Sequence, residues 1–268
     1  ESDPKTVAVV HGFSKDHRPD LKQIVLSLVV NGPSSIPLWM ESLDGNSTDK
    51  ASFHKTIKNV ENFRAQIDLK GTFKWIADSA LYTKDKLLKN NDYLWVTRVP
   101  ESIKEAKNLI EKLDEEIEWV EGEKGYKTSE YKSFYGGIEQ RWLLVFSKQA
   151  YKREKTTLEK KLKREEEELK QVLWHFGKKK FHCEEDARKA FEEVKKEHKL
   201  HVIKEQLTPV DKHSCRGRPK QNAEKVINGC RVNATFERSQ EEITKLLNKK
   251  GRFILATNEL DSEKYKNE

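Results

Sequence analysis

The apolar residues of this chain arrive in short runs closed off by turn signals, and that spacing limits the folds open to it. The densest run, Ile24-Val25-Leu26-Ser27-Leu28-Val29-Val30, ends at Asn31-Gly32-Pro33. A bilayer-spanning helix needs about 20 consecutive apolar residues, so none is encoded here. A β-strand needs only a few, and a second run from Ile36 to Leu43 follows the turn. Two such runs joined by a short turn predict an antiparallel pair.

The pattern then changes period. Ser47-Thr48-Asp49 offers helix-capping oxygens, and Phe53, Ile57, Val60 and Ile67 recur at helical spacing. Phe73 to Ala77 reads as a strand ending at Asp78, followed by a short helix over 83–90 and a strand over 93–99. From Ser102 a helix puts Ile103, Ala106, Leu109, Ile110 and Leu113 on one face. Residues 1–118 therefore predict a mixed α/β layer structure.

After Glu118 the composition shifts. Residues 119–148 mix Gly122, Gly125, Gly136 and Gly137 with aromatic residues and read as short antiparallel strands, ending in Trp142 to Phe146. Residues 149–174 predict a charged helix whose apolar stripe is Tyr151, Leu158, Leu162, Leu169 and Val172. A break at Phe176-Gly177 leads to a second helix carrying Ala187, Ala190, Phe191 and Val194, so the pair reads as a helical hairpin. Strands over 200–207 and 226–236 flank a polar loop. A helix near 240–249 and a strand over 253–257 complete the chain.

Charge bears on partners. Lys and Arg number 52 against 45 Asp and Glu, a net +7, and 36% of residues are charged. That is well above the roughly one quarter of an average domain. Residues 151–205 hold 17 basic against 13 acidic residues, which fits a solvated helix face. Six Trp, seven Tyr and eleven Phe are enough to pin a core, which argues against wholesale disorder. Three cysteines without regular spacing argue against a disulfide framework and predict a reducing cytoplasm. The chain begins without Met or a signal peptide and stops inside a charged stretch, so the expectation is a fragment.

Four groups of residues invite a chemical reading. Asp78 ends a strand and precedes small residues, where the sites of α/β sheets gather, although a turn or capping residue reads the same. His11, Asp16, His17 and Asp20 lie close in sequence but match no recurrent zinc spacing, and a hydrogen-bonded turn is the simpler account. His175, His182 and Cys183 lack a partner pair, which leaves two interhelical-turn residues and a buried thiol. Arg216-Gly217-Arg218-Pro219-Lys220 could lay an extended backbone along a narrow A·T minor groove, or be a solvated basic loop. Residues 206–238 hold seven basic residues against three acidic ones, so the loop is locally basic. No P-loop, GxGxxG or serine nucleophile elbow is present in the sequence.

Gly12 to Gln23 (GFSKDHRPDLKQ), Ile36 to Lys50 (IPLWMESLDGNSTDK) and Trp75 to Thr83 (WIADSALYT) together resemble bacterial insertion-sequence transposases of the DDE class, whose catalytic core is RNase H-like. Gly251 to Leu260 (GRFILATNEL) and the RGRPK loop are similar to late segments of such proteins. The resemblance implies three carboxylates holding two Mg²⁺ ions for phosphodiester cleavage and strand transfer. It places the second carboxylate, catalytic and metal-binding, on Asp78. The family's first Asp lies upstream of the GFSKDHRPD segment and its Glu downstream of GRFILATNEL. Asp3, Glu259, Glu263 and Glu268 do not match those motifs.

The expected architecture is thus an incomplete RNase H-like α/β mixed sheet with a large α+β insertion containing a charged helical hairpin. Residues 1–118 would form the partial core, with Asp78 at the carboxyl end of a central strand. Residues 119–250 would form the insertion, and 251–268 a return strand toward a catalytic-Glu helix. The expected function is that of a DNA transposase, with this chain inactive alone. The alternative is a non-enzymatic nucleic-acid or protein interaction module. The resemblance implies Mg²⁺, transposon-end duplex DNA contacted by Arg216, Arg218 and Lys220, and a homodimer of the full-length protein. It implies no membrane and no small-molecule substrate, and a bacterial cytoplasmic protein at the nucleoid when bound to DNA.

Overall fold

Alternation along the first apolar run decides the first hairpin. In the computed structural model, which describes residues 6–14, 17–32, 34–213 and 225–263, β1 (Val10–His11) pairs with β2 (Lys22–Gln23). β3 (Val25–Val30) then pairs antiparallel with β4 (Pro37–Leu43), Leu28 facing Met40. Successive side chains point to opposite faces of a strand. One face of this hairpin lies on α1 (Asp49–Gln66), where Ser27 shares a 3.3 Å hydrogen bond with Thr56 and the Trp39 ring sits 5.8 Å from Phe63. The other face leaves Leu26, Leu28, Val30, Leu38 and Met40 exposed, Met40 by 68%.

That open apolar face has a consequence in solution. Unpaired strand edges and contiguous exposed apolar residues favour association. The apparent mass by light scattering is expected to rise with protein concentration, and the double variant Leu28→Lys, Met40→Lys to suppress the rise. A monomeric mass at every concentration would contradict this.

The main sheet follows. β5 (Lys74–Ala77), α2 (Lys84–Lys89) and β6 (Leu94–Arg98) form a crossover that leaves β5 and β6 parallel, with Trp75 opposite Trp95. α3 (Lys104–Ile110) comes next, then β7 (Val120–Glu121), β8 (Tyr126–Tyr135) and β9 (Ile138–Ser147). Late in the chain β12 (Arg252–Thr257) returns antiparallel to β6, Leu255 facing Arg98. The six strands lie in the order β5-β6-β12-β9-β8-β7, a mixed sheet. Trp95, Leu144 and Ile254 are fully buried on its middle strands.

Between β9 and β12 lie α4 (Lys148–Lys178), α5 (Glu184–Glu197), β10 (His201–His213), β11 (Lys225–Arg238) and α6 (Gln240–Asn248). β10 and β11 pair antiparallel from His201 opposite Arg238 to His213 opposite Lys225, with a register shift after Pro209. Proline cannot donate to a ladder, so a bulge is where a strand tolerates it. Leu169 and Phe176 of α4, Ala187 and Phe191 of α5, and Ile203, Cys230 and Val232 of the hairpin make one buried cluster. Leu158 and Leu162 pack with Ile243 of α6 in a second. Arg238 ties β11 to α4 by ion pairs with Glu166 at 2.6 Å and Glu159 at 3.0 Å.

Several expectations need correction. β5 lies at the edge of the six-stranded sheet, not at its centre, because β3 and β4 form a separate two-stranded sheet. The strands over 119–148 are not uniformly short: β8 and β9 have ten residues each. They turn at Gly136 and Gly137, whose φ of 63° and 81° are what a two-residue hairpin turn demands. α4 does not break at Phe176-Gly177 but continues to Lys178, since Phe176 is anchored in the buried cluster. Val172 is exposed and leaves the apolar stripe to Leu169 and Phe176. The two helices act less as a free hairpin than as a layer on β10–β11, with Phe176 and Phe191 rings 5.3 Å apart.

The chain divides into two compact units whose bounds differ from the expected 1–118 and 119–250. One comprises Glu1–Lys107, Thr128–Val145 and Phe253–Glu268, and the other Asn108–Lys127 and Phe146–Arg252. Most of β8 and β9 thus belongs with the first unit, although the sequence places it in the insertion. Among the described residues no helix is long and apolar enough to cross a membrane.

His201 gives the second unit a pH dependence. The imidazole is buried, meets Phe236 edge-on, and neither ring nitrogen has a hydrogen-bond partner. Burial pushes its pKa down, against the opposing pull of Glu165 and Glu166. A neutral imidazole is what the fold accepts, so above the ordinary value near 6.5 this group places no penalty on folding. As pH falls from there through the lowered folded value, the unfolded chain takes up the proton first and stability declines. Urea unfolding between neutral and mildly acid pH is expected to show that loss, and His201→Leu to flatten it. An equal acid loss in the variant would assign it elsewhere.

Candidate active site

Asp78 follows β5 directly, at the ends of two parallel strands. Its position is set by the short helical turn over 79–81, whose first residues it caps: Oδ1 accepts from the Ala80 amide at 2.8 Å. A short polar side chain at this place satisfies a donor the turn cannot satisfy itself. The Asp78 carbonyl accepts from the Thr97 hydroxyl of β6 at 2.6 Å, fixing the strand end from the other side. Lys86 Nζ donates to the Ala80 carbonyl at 3.2 Å. The residue itself is exposed.

The turn after Asp78 is held by a buried polar network. Tyr82 Oη donates to Gln140 Oε1 at 2.6 Å, and Trp142 Nε1 donates to Tyr82 Oη at 3.0 Å. Gln140 Nε2 in turn donates to the Tyr135 carbonyl at 2.9 Å. Burial pushes the Tyr82 phenol pKa well up, so it stays a protonated donor at every working pH. Each member of this group has a partner, the condition under which a buried network rigidifies. Asp78 is thus an exposed carboxylate on a stiff support.

The segments 12–23 and 36–50 meet in the structure. A Cβ on Gly12 would collide with the Gly45 carbonyl, and one on Gly45 would collide with the Gln23 carbonyl and lie 2.6 Å from that of Val10. Gln23 Nε2 donates to the Gly45 carbonyl at 2.8 Å, the Gly45 amide to the Ala8 carbonyl at 3.1 Å, and the Ala8 amide to Asp44 at 2.8 Å. The segment around Gly12 is thereby clasped to the end of β4.

The other candidates separate. Asp20 is locked in a two-pronged pair with Arg18, at 2.9 Å and 2.7 Å, and that guanidinium holds its carboxyl below the usual range. His11 lies in β1 opposite Lys22, His17 lies in a turn closed onto the Ser14 carbonyl at 3.3 Å, and Asp16 is outside the described residues. Cys183 is exposed, contrary to the buried thiol expected, and its Sγ accepts from the Asp186 amide at the start of α5. Among the described residues the buried thiol is Cys230. Arg216, Arg218 and Lys220 lie outside the described residues.

No known protein family, curated protein or solved structure matches this chain. What the site can do therefore rests on its donors. No group of three or more His, Cys, Asp and Glu side chains among the described residues could hold a metal ion. Asp78 offers the hard oxygen that Mg²⁺ favours, but a single carboxylate does not fit a two-ion centre.

A second feature escapes the sequence reading altogether. On the second unit a groove of about 770 Å³ opens between α4 and β11, walled by Lys170, Trp174, Gly177 and Lys178 and floored by Asn233 to Phe236. The repeat Lys170, Trp174, Lys178, four residues apart each time, was the available signal; the charge-rich surroundings hid it.

Proposed function

We propose that this chain is the Asp78-bearing part of a DNA transposase of the DDE class. What carries the reading is the placement of Asp78, an exposed carboxylate on a stiffened turn directly after a parallel strand. Catalytic and ligand-binding groups of α/β sheets gather at such strand ends. The clasp of Gly12 and Gly45 adds support, because it joins two segments that resemble the family. In this reading Asp78 is one of three carboxylates around two Mg²⁺ ions, which activate the attacking oxygen and stabilise the leaving one. The finer RNase H-like architecture, a homodimer, transposon-end duplex as partner and a place at the bacterial nucleoid belong to the same proposal.

One carboxylate does not position two ions. The chain by itself is therefore expected neither to nick nor to join supercoiled plasmid in Mg²⁺ or Mn²⁺. Expressed with the flanking coding sequence in frame, the protein is expected to nick, and Asp78→Asn to reduce nicking to background. Nicking by the longer protein that is indifferent to Asp78→Asn would overturn the assignment. So would flanking sequence that supplies neither an Asp-bearing strand nor a Glu-bearing helix.

Arg216, Arg218 and Lys220 are proposed to contact duplex DNA. Binding is then expected to weaken with salt at a log–log slope of about −0.9 per phosphate neutralised. Arg216→Ala with Arg218→Ala should erode a preference for A·T-rich duplex if the arginines enter the minor groove. The groove on the second unit favours one other reading, a non-enzymatic interaction module, and that module would bind its ligand without any dependence on Asp78.

A further inference from the structure

We propose that the groove between α4 and β11 binds an unpaired stretch of nucleic acid, with its phosphates on Lys170 and Lys178 and a base on Trp174. The site lies wholly within the second unit and needs neither Asp78 nor the Arg216 loop, so it goes beyond the transposase reading.

The first argument is spacing. An α-helix rises 1.5 Å per residue, so Lys170, Trp174 and Lys178 form one stripe roughly 12 Å long on α4. An unpaired strand lying along that stripe would bring phosphates within reach of both ammonium groups. Lys178 covers one face of the Trp174 ring, so a base would stack on the other.

Charge is the second argument. Elsewhere in this helical layer Lys161 pairs with Glu165 and Lys195 with Glu205. No ion pair holds Lys170 or Lys178 among the described residues. Lys178 Nζ instead lies 3.2 Å from the centroid of the Trp174 ring, held by the negative face of the indole. The carboxylate in the wall, Glu166, is committed to Arg238 at 2.6 Å, which holds its pKa below the usual range. The groove therefore presents two ammonium groups outside any close ion pair among the described residues, Lys170 sharing only the longer-range field of Glu166.

Shape is the third. Trp174 is 58% exposed, although a large indole normally finds burial. Gly177 sits between Trp174 and Lys178, and a Cβ there would lie 3.4 Å from the Val232 carbonyl and 3.9 Å from Asn233 Oδ1. Any larger side chain would begin to fill the groove. Its volume lies within the range of small-ligand sites, ample for one nucleotide. Double-stranded DNA hides its base faces and would use the lysines alone. A single strand uses the ring as well, since every base offers a π-face and stacking tolerates any sequence.

The test is fluorescence anisotropy of the full chain with a short labelled oligothymidylate, at several salt concentrations, against an acidic peptide of equal charge. Trp174→Ala is expected to weaken oligothymidylate binding roughly 5- to 150-fold, and Trp174→Tyr to retain most of it. Lys170→Gln and Lys178→Gln should each reduce the log–log salt slope by about 0.7. These side chains are on the surface, so thermal melts should match the parent and a folding defect is separable. Asp78→Ala should leave the affinity unchanged, which separates this inference from the transposase proposal. Unchanged affinity in Trp174→Ala, equal or tighter binding of the acidic peptide, or no binding at low salt would each overturn it.

Discussion

Phe191→Ala is expected to destabilise the second unit by about 3–5 kcal/mol, close to the whole stability of many domains. The ring is 1% exposed and packs edge-on to Phe176 at 5.3 Å. Its neighbours come from three directions: Leu169 and Phe176 from α4, Ala187 from its own helix, and Ile203, Cys230 and Val232 from the β10–β11 hairpin. Deleting the ring removes the transfer free energy and leaves a cavity that a hairpin and a 31-residue helix cannot easily close. Urea unfolding and circular-dichroism melts measure the effect, and a fall in the melting temperature on the order of 10 °C or more is expected. Phe191→Leu keeps most of the volume and should cost much less. A loss below about 1 kcal/mol for Phe191→Ala would mean that this cluster is not what holds the helices to the hairpin.

That cluster also shows which parts of the fold a sequence can carry. α5 was legible because Ala187, Ala190, Phe191 and Val194 all fall on one helical face, and each of them is turned to the cluster. β3 and β4 were legible from an apolar run on each side of a turn. β9 was not. Ile138, Gln140, Arg141, Trp142, Leu144 and Val145 are all buried, so both faces are covered and no alternation remains to mark a ten-residue strand. The end of α4 misled for a local reason: Gly177 reads as a stop, yet the helix is held by Phe176 beside it.

Sites divide in the same way. Asp78 could be singled out because a strand end and the small residues after it are adjacent in sequence. Its supports could not, since Thr97 holds it from β6 and Gln140 and Trp142 hold Tyr82 from β9. The groove was hidden for the converse reason. Its Lys170–Trp174–Lys178 wall is local and readable, but the β11 floor that turns a charged helix face into a concavity comes from much later in the chain.

Gly45→Ala carries the other large effect, and it is local. Gly45 is buried, and its backbone lies against those of Val10 and Gln23 with no room for a methyl group. The obstacle is main chain on both sides, which cannot swing away as a side-chain tip would. Overpacking against well-packed neighbours costs about 1–3 kcal/mol, and more where backbone must shift. Here the shift would also break the Gln23 Nε2 bond to the Gly45 carbonyl and the Gly45 amide bond to Ala8. β1 and β2 are two residues each and pair only with one another, so they have little else to hold them. The expected result is selective: amide hydrogen exchange at Val10 and Gln23 should speed up by roughly 100-fold or more, the equivalent of about 3 kcal/mol of lost local stability. Exchange in β6, β9 and β12 should stay as it was. If Gly45→Ala left the Val10 and Gln23 amides protected, the close approach of Gly45 to the Val10 and Gln23 carbonyls would not be what clasps the segment around Gly12 to β4, and the support it lends to the family reading would go with it.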